Sequence, residues 1–143
     1  MDIDQRALDL AKHLLDVETK SKIRKNKRSP SDIDKFIKCT QWLSKRILSN
    51  YAASSNAQTR LARDKNRYKA NSHNVDGVTY DILIGGVIDW LVIDGFIYTD
   101  KKGEYSRELF EGEQTRIKPH SKFIDWFEID LQTLPKQIVA FED

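Results

Sequence analysis

A single cysteine, Cys39, rules out an internal disulfide, and no CxxC or Cys/His cluster offers a zinc-binding pattern. Cys39 sits beside an apolar helical stripe and is expected to pack as a small hydrophobe. Long hydrophobic runs are missing too: the longest, Ile82–Ile88, falls far short of the roughly 20 residues that span a bilayer. The opening Met1-Asp2-Ile3-Asp4 is acidic where a secretory signal needs a basic patch, so a cytoplasmic chain without a membrane anchor is expected. His13, His73 and His120 form no paired-histidine motif, and HExxH, a P-loop and a GxSxG elbow are all absent. Asp81 and Asp89 stand two turns apart on one helical stretch with Asp94 at its end, a spacing that suits solvated acids better than a metal cluster. The expectation is a chain that is not an enzyme and uses no cofactor or metal.

What the chain does hold is enough apolar material for one core. Its 143 residues are 39% hydrophobic and include three Trp, five Tyr and six Phe, which suits one domain and leaves no room for a second full one. The net charge of +2 conceals a strong asymmetry: residues 1–70 carry 17 Lys/Arg against 8 Asp/Glu, and residues 71–143 carry 7 against 14. A basic half of this kind suits a polyanion, the alternative being a solvated face on ordinary helices.

Spacings of three and four place Ile3, Ala7, Leu10, Ala11, Leu14 and Val17 on one face of a first amphipathic helix. The basic run Lys20–Arg28 follows, as a frayed helical end or a linker. Ser29-Pro30 disfavours helix at Ser29, and Ser31 with Asp34 has capping-box spacing, so a second helix is expected to start there. Its stripe is Ile33, Phe36, Ile37, Thr40, Leu43, Ile47, Leu48 and Tyr51, with Trp42 at the margin as a core flank or a partner contact. A third helix is expected from about Thr79 to a glycine stop at Gly95, burying Tyr80, Ile84, Val87, Ile88 and Leu91. Gly85-Gly86 inside it points to a close backbone approach. Phe96–Thr99 reads as a strand, Asp100-Lys101-Lys102-Gly103 as a turn, and Gln114–Lys118 as the return strand that Pro119 ends. Ser121–Phe127 reads as a short last helix with Phe123, Ile124 and Phe127 on one face.

Helix, strand, hairpin and strand in that order make the ending of a winged helix. Val87-Ile88-Asp89-Trp90-Leu91 followed by Gly95-Phe96-Ile97 resembles the close of the recognition helix in the DNA-binding domains of replication initiator (Rep) proteins of plasmids, phages and phage satellites. Gln114-Thr115-Arg116-Ile117-Lys118-Pro119, then Lys122-Phe123-Ile124 and Trp126-Phe127, is similar to the strand and short helix after the wing in that family, and Asn66-Arg67-Tyr68-Lys69 resembles a motif upstream. The resemblance covers about residues 60–127. It implies an α+β, mainly α fold, a winged helix-turn-helix with an N-terminal helical extension. The expected divisions are residues 1–28 (helix and basic segment), 29–130 (winged helix) and 131–143 (tail). It further implies sequence-specific binding of double-stranded DNA at replication-origin repeats, with host or phage replication proteins as partners. The presumed recognition helix departs from the pattern in carrying three Asp and no Lys or Arg.

That departure moves the expected affinity to the flanks. Arg60, Arg63, Lys65, Arg67 and Lys69 suit phosphate neutralisation, and Asn66, Tyr68, Asn71 and Asn74 add neutral hydrogen-bonding groups. A solvated loop is the other reading. Thr79 is expected to cap the third helix and present its hydroxyl near the groove. Lys101, Lys102 and Arg107 suit backbone or minor-groove contacts from the wing. Arg116 and Lys118 alternate with Ile117 and should face away from the core, towards DNA or solvent. A homodimer, or pairing on repeated sites, is expected. Two alternatives stay open: a transcriptional regulator of the same fold, and a protein-interaction module that docks a partner on Trp90, Trp126 and the tail without touching DNA.

Overall fold

The computed structural model describes residues 2–21, 27–54, 58–62, 78–100 and 114–127. Helix α1 (Ile3–Ser21) buries Ile3, Ala7, Leu10, Ala11 and Leu14, five of the six positions of its apolar stripe. Val17 is only half-buried, and Glu18 goes inside beside it. Removing each Leu or Ile from water contributes about 1.5–3 kcal/mol, so the stripe commits α1 to a neighbour. That neighbour is α2 (Pro30–Ala53).

Ser29, not Ser31, caps α2: its backbone is extended, its hydroxyl accepts from the Asp32 amide at 3.2 Å, and Pro30 occupies the first helical turn. Proline fits there because its missing N–H would have no helical partner anyway, and this outweighs the capping-box spacing two residues on. Phe36, Cys39, Thr40, Leu43, Ile47 and Leu48 form the buried face of α2, while Ile33, at the first turn, is exposed. Thr40 returns its hydroxyl to the Phe36 carbonyl at 2.9 Å, so it sits in the core with its donor satisfied.

Strand β1 (Thr59–Ala62), unrecognised in the sequence, follows α2 and is tied to it where Asn50 Nδ2 donates to Thr59 Oγ1 at 2.9 Å. Helix α3 comprises Tyr80–Ile82, a wide turn at Leu83–Val87 and Ile88–Ile93. Strands β2 (Ile97–Asp100) and β3 (Gln114–Pro119) come next, then helix α4 (Ser121–Phe127). The three strands form an antiparallel sheet in the order β1-β3-β2, which makes the whole α+β and mainly helical. Its inner face brings Leu61, Ile97 and Ile117 onto the same hydrophobic cluster as α1, α2, α3, Phe123 and Phe127. All the described elements therefore share one core.

The wide turn in α3 is π-helical, the Ile88 amide donating to the Leu83 carbonyl five residues back. One extra residue per turn rotates the register, so Leu83 is fully buried and Ile84 only half-buried, the reverse of the expected pattern. Gly86 lies against α2: a Cβ there would stand 3.2 Å from Arg28 Nη2 and 3.6 Å from the Phe36 ring. A Cβ on Gly85 would meet nothing. Only one of the two glycines serves a close approach.

The helix ends where expected. Gly95 takes a φ of 77°, its amide donates to the Val92 carbonyl and the Phe96 amide to that of Leu91, the paired bonds of a Schellman stop. Asp94 beside it is held from two sides. His13 Nε2 of α1 lies 2.7 Å from its carboxylate, and Lys122 of α4 donates to its carbonyl at 2.6 Å with the ammonium 4.4 Å over the Phe96 ring. A cation at a helix C-terminus also complements the partial negative charge there.

Candidate nucleic-acid interface

The sheet register decides which segments can meet. Ala62, the last residue of β1, pairs with Gln114, the first of β3, and Asp100, the last of β2, pairs with Arg116. The segments 63–77 and 101–113 therefore both depart from the same end of the sheet. These are the segments that hold Arg63, Lys65, Asn66, Arg67, Tyr68, Lys69, Asn71 and Asn74 on one side and Lys101, Lys102 and Arg107 on the other. All eleven lie outside the described residues.

The remaining four expected contacts are placed. Arg60 is not in a loop but in β1, directly opposite Arg116 on β3. Arg116 and Lys118 flank the fully buried Ile117, as alternation requires, and both are half-buried. The Arg116 Nε is shielded from solvent and has no hydrogen-bond partner. Thr79 does not fulfil its expected role: its Oγ1 is buried and unbonded, and it is the Thr79 carbonyl that takes part in the helix, accepting from the Leu83 amide at 3.0 Å. The backbone has turned the hydroxyl towards the interior, where it neither caps α3 nor faces a groove.

The exposed side of α3 carries Asp81, Gly85, Asp89, Val92 and Ile93, so its outward charge is negative. Phosphates are repelled by such a surface, and contacts to a polyanion must come from elsewhere. Some cations of the first 70 residues pair with acids of the same half, which leaves its basic excess unchanged. Lys20 pairs with Asp16, Lys38 with Asp34 and Lys45 with Asp4, at 2.9, 3.2 and 2.7 Å.

Arg28 is spent completely. Its Nε and Nη2 donate to the two oxygens of Glu18 at 2.8 and 2.9 Å, with both side chains 8% exposed. Trp90 Nε1 donates to the same carboxylate at 2.7 Å, and the guanidinium lies 5.0 Å over the Phe36 ring. Glu18, Arg28 and Trp90 thus lock α1, the entry to α2 and α3 together. Sequence reasoning treated Arg28 as one more charge in a basic run, and no local pattern distinguishes it.

Of the surface expected for an interaction module, the tail lies outside the described residues and the two tryptophans are largely engaged in the fold. Trp90 is 7% exposed, and Trp126 is half-buried against His13 and Phe96 with its indole donating to the Arg6 carbonyl at 3.0 Å. The exposed aromatic is instead Tyr98 on β2, 55% exposed and stacked on His120 at 4.6 Å between ring centroids. Alternation with buried Ile97 was the available sequence signal for it. Among the described residues there is no cluster of metal-ligating side chains and no helix long and apolar enough to cross a membrane. No protein-family model matches the chain, and neither a curated protein nor a solved structure does.

Proposed function

We propose that this chain is a winged-helix module that binds duplex DNA, acting at the origin of a mobile element or phage as its replication initiator. The observation that carries the reading is the departure of the segments 63–77 and 101–113, which hold Arg63, Lys65, Arg67 and Lys69 and the pair Lys101-Lys102, from one end of a β1-β3-β2 sheet. Helix, strand, helix and two-stranded hairpin in that order among the described residues, with the first strand pairing the last, support the winged-helix reading. The acidic outer side of α3 supports a division in which flanking cations hold phosphates and the helix contributes little to affinity.

Substitution separates this from a solvated basic face. Arg63→Ala and Arg67→Ala should each weaken binding to all duplex sequences alike and lower the salt slope by about one unit. Lys101→Ala with Lys102→Ala should behave the same way. Fluorescence anisotropy on a labelled duplex reads all three. Variants that fold normally and bind as tightly as the parent would end the reading.

A further inference from the structure

The outer side of the sheet holds, beside cations, an aromatic pair that duplex binding does not explain. Tyr98 and Lys118 are register partners on β2 and β3, and two residues along β3 Arg116 faces Arg60 on β1 and Asp100 on β2. By register these positions share one face of the sheet, which places Lys118 and Arg116 beside Tyr98. Like charges directly opposite each other destabilise a strand pair unless an anion comes between them. Among the described residues no carboxylate pairs with Arg116 or Lys118.

Tyr98 is not a stray surface ring. It lies on His120 with 28° between the ring planes, and the His120 backbone is fixed from both sides, its amide donating to the Phe96 carbonyl at 2.9 Å and its carbonyl accepting from Phe123 at 3.0 Å. A rigid, exposed aromatic pair beside a row of cations offers a stacking surface and a path for phosphates.

We propose that this face binds single-stranded nucleic acid, an unpaired base stacking on Tyr98 while Lys118 and Arg116 follow the backbone. A duplex presents phosphates and groove edges but hides the flat faces of its bases, so it has no use for Tyr98. A single strand has both, and such stacking tolerates any sequence. The proposal goes beyond duplex recognition and does not depend on it.

Anisotropy titrations at low salt with labelled oligothymidylate of about 20 nucleotides, and separately with a hairpin duplex, test it on the full chain. Tyr98→Ala should weaken oligothymidylate binding at least about fivefold. Duplex binding should not change, and Tyr98→Phe should keep the parental affinity for both. Lys118→Gln should lower the single-strand salt slope by about 0.7. His120→Ala, which removes the supporting ring, should weaken single-strand binding and decides the matter should Tyr98→Ala fail to fold. No binding of oligothymidylate, parental affinity in folded Tyr98→Ala or His120→Ala, or an equal loss on both probes would overturn the proposal. Loss of duplex binding alone would overturn the origin-binding reading and leave this one standing.

Discussion

Two buried residues have consequences out of proportion to their size. Arg28 neutralises Glu18 inside the core, so Arg28→Ala leaves a buried carboxylate without its charge partner, at a cost of about 3–5 kcal/mol. Replacing both ends, Glu18→Gln with Arg28→Met, should cost less than Arg28→Ala by itself, because no uncompensated charge remains. Urea unfolding of the three proteins checks the order, and a single variant milder than the double would contradict it. Cys39 is the second case. Burial pushes its thiol up to about 11 from its ordinary 9.0, so the folded state keeps a proton that the unfolded chain gives up first. Stability from this group is intact below pH 9 and drains away between pH 9 and 11, by roughly 3 kcal/mol in full. Cys39→Ala should lack that component, so the gap between variant and parent should narrow as pH rises through this window. A gap independent of pH would refute it.

At the scale of the element, α3 shows where local reading succeeds and where it stops. Gly95 was legible as a stop because a left-handed residue after an apolar helix is a local requirement, and both strands of the hairpin were legible from their β-branched and aromatic content. The π turn was not, because nothing in Leu83–Val87 announces an i to i+5 bond; it goes with the close approach of Gly86 to Arg28, just before α2, and to Phe36 on α2. The same tertiary dependence hid β1, which is a strand only because β3 pairs with it. The two glycines give a direct test. Gly85→Ala, with open space and helical backbone, should stabilise the protein by about 0.5–1 kcal/mol. Gly86→Ala should destabilise it relative to Gly85→Ala, since the guanidinium it meets is pinned by Glu18 and cannot retreat. Thermal unfolding of the pair reads the difference, and equal melting temperatures would remove the close-approach account of the π turn.

For the molecule as a whole, the sheet converts a sequence asymmetry into a spatial one. Runs separated by more than 30 residues along the chain leave from one end of the sheet, while acids collect on the outer side of α3 and several cations of α1 and α2 form surface pairs. The sequence carried the charge imbalance and the wing-like ending, but not which cations remain free, because that depends on which carboxylates folding brings beside them. Arg28 and Arg116 look alike in the sequence, yet one is neutralised in the core and the other has no carboxylate partner among the described residues. Duplex binding by the remaining cations is the central claim, and its most direct test is the salt dependence of that binding for the parent chain. With about four to six phosphates neutralised, log affinity should fall against log salt with a slope of about −4 to −5. A flat dependence, or no binding at low salt, would contradict it.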